Sequence, residues 1–214
     1  MTLPRVLHSI GSDVDNFSCP WCGSHDRERH LYLYMKTLGL LDQLKTADVI
    51  HFAPEKKLSK LFEKYISGRY VKADLFPATN GIEKVDMTEM SFKDESFDFL
   101  IANHVLEHVD DHIKALTEIR RVLKKGGYCI LQTPYSEKLN KTFSDPGIDD
   151  ENSRLLAYGQ EDHVRIFGGD IFDIFSSVGL EPMVKLHADV LSDFEPKHYG
   201  VNVKEPLFLF RRPE

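Results

Sequence analysis

Residues 96–109 read S-F-D-F-L-I-A-N-H-V-L-E-H-V, and residues 113–134 read I-K-A-L-T-E-I-R-R-V-L-K-K-G-G-Y-C-I-L-Q-T-P. The first stretch is an apolar run that breaks into polar residues. The second places Ile113, Leu116, Ile119, Val122 and Leu123 at the three- and four-residue spacing of a helix face, then a glycine pair and another apolar run. Lys124 and Lys125 suit the negative end of that helix, and Gly126-Gly127 its stop. The order is strand, helix, strand. In open parallel sheets ligands bind beyond the carboxyl ends of strands, which is where Asn103, His104, Glu107 and His108 fall.

The flanking sequence extends this pattern. D-V-I-H-F-A, ended by Pro54, predicts a buried strand, and Leu58, Leu61, Phe62, Tyr65 and Ile66 predict the helix after it. Further strands are expected at 70–75, 82–87 and 128–133, and a helix from Ile171 to Val178 closed by Gly179. Two late strands are expected near 183–190 and 206–212. Residues 135–165 lack periodicity and read as a long functional or mobile connection. Upstream, Leu31, Tyr34, Met35, Leu38, Leu41 and Leu44 mark a helix interrupted by Gly39, read as a cap on the edge of the domain. Together these predict an α/β, doubly wound, mostly parallel sheet, with an N-terminal cap segment over 1–45 and the main domain over 46–214.

Composition narrows the function. The chain has 214 residues, 42% hydrophobic and 29% charged, with a formal net charge of −7. An acidic surface argues against a broad nucleic-acid footprint. No apolar run approaches the ~20 residues of a membrane span. Residues 1–11 lack the apolar core of a secretory leader, and three cysteines make no disulfide framework, so a cytoplasmic setting is expected.

The 96–134 stretch also resembles class I S-adenosylmethionine-dependent methyltransferases. Many of these run an F-D-x-[hydrophobic] strand into H-x-L-E-H, then a helix ending R-x-L-K-x-G-G. Three further motifs, C-P-x-C-G (19–23), H-F-A-P-E (51–55) and G-Q-x-D-H-V-R (159–165), resemble a bacterial subset of that family. The resemblance implies a Rossmann-like, seven-stranded methyltransferase fold with an antiparallel edge hairpin, and S-adenosylmethionine as cofactor. It implies cofactor contacts from the turn His51, Phe52, Ala53 and Glu55, from Asp74 and Leu75 for the ribose, from Asp86 and Met87 for the adenine, and from Asn103. Phe92 lies nearby and could equally be core. The turn departs from the family in having no glycine.

His163 is the expected general base, and His104 is expected beside the transferred methyl. Asp162 or Glu161 would orient His163, Arg165 would hold an anionic acceptor, and Tyr135 is a second pocket candidate. Alignment of nucleophile and methyl can contribute about 7–11 kcal/mol, and general-base help about 10²–10⁴-fold. No metal is needed for this reaction. Cys19 and Cys22 supply only two of the four ligands of a zinc site, with His25 and His30 as imperfect complements, so stoichiometric zinc is not expected there. Arg27, Arg29 and His30 are read instead as able to reach an acidic acceptor. The expected reaction is methylation of a hydroxyl on a small molecule or glycan. The alternatives are transfer to an RNA or protein nitrogen, and a non-catalytic interaction module on the same fold.

Overall fold

A computed structural model describes residues 10–12 and 18–214; residues 1–9, most of the stretch read above for a leader, lie outside the described residues. Seven strands form one sheet in the order β3-β2-β1-β4-β5-β7-β6. They are β1 (Val49–Phe52), β2 (Tyr70–Asp74), β3 (Glu83–Lys84), β4 (Phe97–Ala102), β5 (Leu123–Ile130), β6 (Glu181–Pro182) and β7 (Leu209–Arg211). Strands β3, β2, β1, β4 and β5 pair parallel, while β7 is antiparallel to both β5 and β6. The fold class read from the sequence is therefore the one observed.

The apolar runs of the central strands reflect burial on both faces. Every residue of β1 is buried. On one face Ile50, Phe52, Leu100, Ala102 and Leu131 pack with Leu116 and Ile119 of helix His112–Val122 and with Phe175 of helix Ile171–Ser176. On the other, Val49, Phe99, Ile101 and Ile130 pack with Phe62 of helix Lys56–Tyr65 and with Leu31, Met35, Leu41 and Leu44. Those last four lie on helices Asp26–Thr37 and Leu40–Leu44, separated at Gly39 with φ 70°. The N-terminal helix is thus part of a covering layer rather than a cap at the sheet's edge.

Several boundaries differ from expectation. The third strand is two residues long, so Asp86 and Met87 sit in the loop beyond it. Gly126-Gly127 does not stop the preceding helix, which ends at Val122; the pair lies inside β5, where register shifts against β4 between Phe97 and Phe99. Gly126 has φ 74°, and a Cβ at Gly127 would fall 2.8 Å from the Lys124 carbonyl oxygen, so both positions need glycine. Lys124 bridges Asp48 and Asp98, at 2.9 Å each, instead of facing a helix end.

Residues 187–190 form a helical turn, and β6 and β7 are shorter than predicted, although Lys185 still bridges to Leu207. The aperiodic connection holds a helix, Glu151–Tyr158, begun where Asp150 accepts from the Ser153 amide at 3.0 Å. Its residues are exposed or half-buried and only Tyr158 is buried, which is why no apolar stripe announced it.

Candidate functional site

The carboxyl ends of β1, β2 and β4 and the loop after β3 meet along one edge of the sheet. Two residues there hold left-handed backbone without being glycine: Ala53 after β1, with φ 44°, and His104 after β4, with φ 58°. Such a conformation costs roughly 1–2 kcal/mol. Backbone bonds to neighbouring strands hold both in place, Ala53 N–H donating to the Ala73 carbonyl at 2.9 Å and His104 N–H to Gln132 at 2.8 Å. The glycine-free turn therefore still takes a path that glycine takes freely.

Around that turn the polar groups are mostly acceptors. Glu55 is nearly buried, with its carboxylate on His51 Nε2 at 3.1 Å, on the Asn103 side-chain amide, and 4.0 Å from Arg27. Burial opposes its ionisation, but the hydrogen bond and charge of His51 and the charge of Arg27 prevail and hold it below the usual carboxylate range. A depressed folded pKa stabilises the protein above the unfolded value, near 4.3, and that contribution is lost as pH falls through the folded pKa. Glu55→Gln should therefore flatten the loss of stability in acid; urea midpoints from pH 7 to pH 3 that decline as steeply as wild type would remove Glu55 from that role.

The other predicted contacts are distributed as follows. Asp74 ends β2 and accepts the Phe76 amide on Oδ1 at 2.8 Å. Asp86 accepts the Thr88 amide and hydroxyl on its own Oδ1 at 2.8 Å, which holds its carboxyl low. In both acids Oδ2 has no bond among the described residues. Asn103 Oδ1 is buried without a partner among the described residues. Leu75 and Phe76 are exposed beside Asp74. The side chains of His51, Phe52 and Met87 point into the core, leaving only their backbone at the turn and loop. His51 is bonded at both ring nitrogens, to Glu55 and to the Tyr70 hydroxyl at 2.9 Å, so it orients Glu55. Phe92 stacks edge-on against Phe97 and belongs to the packing.

An ammonium, a ribose diol and an exocyclic amine all donate hydrogen bonds. An edge with a nearly buried carboxylate, an orphaned amide oxygen and two carboxylate oxygens to spare fits the S-adenosylmethionine implied by the sequence.

His104 lies buried between two carboxylates, 3.5 Å from Glu107 and 3.3 Å from Glu205. Burial would lower its pKa, but hydrogen bonds to both acids push it up to about 9. Glu205 also accepts from Gln132 at 3.1 Å and lies 3.6 Å from His30, which meets His187 at 2.9 Å. Glu205 and His187 were not anticipated as members of any site, and His30 was expected beside the cysteines or an acceptor rather than here. No short-range motif marks them, because the fold assembles them from three distant segments.

The 160–165 segment lies across the start of the turn after β4. Val164 N–H donates to the Glu107 carbonyl at 3.0 Å. Arg165 is buried and donates to the carbonyls of Leu106, Val109 and Asp110. It fastens the segment and is not free to hold an anionic acceptor. Tyr135 is likewise buried against Phe172 and Phe208. His163 stands half-buried with its ring edge-on to His108, centroids 4.7 Å apart. Burial pushes its pKa down despite the charge of Glu107, favouring the neutral imidazole. Asp162 pairs with His108, at 3.3 Å, rather than with His163.

Cys19 and Cys22 close a turn with Gly23 N–H on the Cys19 carbonyl at 2.8 Å. The Cys22 thiol donates to the Ser24 hydroxyl at 3.2 Å, and the hydrogen bonds of Ser24 draw its pKa down to about 7. His30 is committed to Glu205 and His187. Arg29 is committed to the carbonyls of Ser24, Tyr199 and Gly200, so neither reaches out toward an acceptor. Arg120, Arg121 and Arg212 line a recess at the opposite edge of the sheet. There Arg121 is paired with Glu118 and Asp94, and Arg212 with Glu95.

Comparison with known proteins bears on this arrangement. Residues 38–131 match the family model described as a methyltransferase domain. The chain is 30% identical over 98 residues to an uncharacterized methyltransferase of Bacillus subtilis, an alignment covering 44% of this chain and 36% of that protein. The chain spans about a third or less of the length of the curated relatives it matches. Among solved structures it resembles an S-adenosylmethionine-dependent methyltransferase from Mesorhizobium loti, with 16% identity, a TM-score of 0.55, and 83% and 96% of the two chains covered. It also resembles a 1,6-didemethyltoxoflavin-N1-methyltransferase from Burkholderia thailandensis holding S-adenosylhomocysteine, with 13% identity, a TM-score of 0.58, and 85% and 79% covered.

Proposed function

We propose that this chain, a class I S-adenosylmethionine-dependent methyltransferase by its domain and fold, methylates a hydroxyl of a small molecule or glycan. The observation that carries the reading is the set of hydrogen-bond acceptors at and just beyond the strand ends, Glu55, Asn103, Asp74 and Asp86, at the same end of the sheet as the half-buried His163. Bound S-adenosylmethionine supplies an electrophilic methyl group on a sulfonium.

The chain's own residues do the rest. Glu55 and Asn103 receive the ammonium of the methionine part. Asp74 accepts the ribose hydroxyls beside Leu75, and Asp86 with the Met87 backbone N–H meets the adenine. His104 would lie beside the transferred methyl. His163 takes the proton from the acceptor hydroxyl as the new carbon–oxygen bond forms. All these groups fall within 46–214, so a division at residue 45 would separate functions rather than packing layers.

The carboxylates of Glu55, Asp74 and Asp86 lie at this edge, and the arginine recess is at the other. That distribution favours a small neutral or cationic acceptor over RNA. No helix of the described residues is long and apolar enough to cross a membrane. We take the setting to be cytoplasmic.

Calorimetry with S-adenosylhomocysteine tests the reading. Asp74→Ala should weaken binding by about 1.5–3 kcal/mol, the range of hydrogen bonds to charged groups. A folded variant of unchanged affinity would take Asp74 out of the site. A wild-type chain that binds no cofactor would leave the non-catalytic module as the reading.

A further inference from the structure

The imidazoles of His108 and His163 and the carboxylate of Glu107 converge, one ligand atom from each lying within 4.8 Å of the others. We propose that these three side chains hold a divalent transition-series cation, such as zinc or manganese, at the carboxyl end of β4.

Two independent features point to a ligand. Glu107 is buried with its Oε1 3.5 Å from His104, yet its Oε2 has no hydrogen-bond partner among the described residues. An ionised oxygen left unpaired in the interior is costly unless something cationic meets it. His108 presents Nδ1 to the Asp162 carboxylate at 3.3 Å and turns Nε2 toward Glu107, 4.0 Å away. A carboxylate behind a histidine is the usual means of fixing a metal-binding ring.

The donor set also selects the metal. Two imidazoles and one carboxylate suit zinc, manganese or iron better than magnesium or calcium, which take oxygen donors. Three protein ligands with remaining positions open is the arrangement of catalytic rather than structural metal sites. Metal–ligand bonds of about 2.0–2.2 Å require the donor atoms to draw together by roughly an ångström. Both imidazoles are half-buried side chains, and the backbone beneath them is fastened by Arg165 and by the Val164–Glu107 hydrogen bond.

What the cation does rests on the methyl-transfer reading; that it binds does not. A ligating His163 gives its lone pair to the metal and takes no proton. An acceptor hydroxyl in an open position would then bond to the metal through oxygen and release its proton to water. Chelation separates the two roles of His163, stopping transfer only if the metal is needed.

The chain, stripped with EDTA and dialysed, is titrated calorimetrically with zinc chloride alone. One site per chain is expected, undiminished in the Cys19→Ser/Cys22→Ser double variant. Affinity should fall about 10–100-fold in Asp162→Asn, which removes only the supporting carboxylate, and at least as far in His163→Ala. Thermal unfolding checks each variant, and if His163→Ala fails to fold, the exposed Asp162→Asn decides. Absence of binding in wild type, or binding lost with the cysteines and kept in Asp162→Asn, overturns the proposal. S-adenosylhomocysteine binding measured on the same samples keeps the two readings apart. Cofactor without metal defeats only the cation, and metal without cofactor defeats only the methyl transfer.

Discussion

His163→Ala is expected to lower turnover by about 10²–10⁴-fold while S-adenosylhomocysteine affinity stays within about twofold of wild type. The expected split follows from position. His163 packs on His108, beside Glu107, and makes no contact with Glu55, Asp74 or Asp86, which are the proposed cofactor contacts. Whether it removes the proton itself or holds a cation that acidifies the hydroxyl, losing the imidazole removes the activating group and leaves cofactor binding intact. The measurement is single-turnover transfer of labelled methyl to a panel of hydroxylated acceptors. A variant within about threefold of wild type on an acceptor that wild type methylates would exclude both roles.

Glu205→Ala is expected to destabilise the fold by about 3–5 kcal/mol, the usual consequence of removing one partner from a buried charged pair. The carboxylate is buried and serves His104 at 3.3 Å, Gln132 at 3.1 Å and His30 at 3.6 Å. Its loss leaves a charged imidazole and an amide in the interior with no acceptor in its place. A protein of this size loses roughly 2–4 °C in melting temperature per kcal/mol, so the change is easily read. Glu205→Gln keeps one acceptor oxygen and should cost less. Urea unfolding of the two variants gives the comparison. A loss under about 1 kcal/mol in Glu205→Ala would mean that water enters and replaces the carboxylate.

The two predictions differ in what a reader of the sequence could have foreseen. His163 is singled out by its neighbours in G-Q-E-D-H-V-R, a local motif placed after the fifth strand, and its proposed role rests on that motif. Glu205 was not found. It stands before the apolar run P-L-F-L-F, 101 residues from His104, and nothing nearby in the chain marks it as the partner of a histidine. Arg165 shows the same limit from the other side. Its expected role, holding an anion, is not the one observed, because whether a guanidinium faces an anion or three carbonyls depends on what lies beneath it.

Periodicity and punctuation were enough for the sheet. The run F-D-F-L-I-A, the helix spacing from Ile113 to Val122 and the apolar β1 are local patterns imposed by burial on both faces, and burial of that kind leaves a continuous apolar signature. Those patterns also placed Asn103, His104 and Asp74 at strand ends, because a polar residue that closes an apolar run has few other places to be. Tertiary structure alone decided three things. It laid helix Asp26–Thr37 onto the sheet face, since an apolar stripe says that a helix is covered and not by what. It put Gly126-Gly127 inside a bulged strand, because a close approach to Lys124 and Asp98 requires glycine as surely as a helix end does. And it gathered Glu107, His108 and His163 into one cluster, for the distances among side chains from two loops are set by the packing that fastens those loops together.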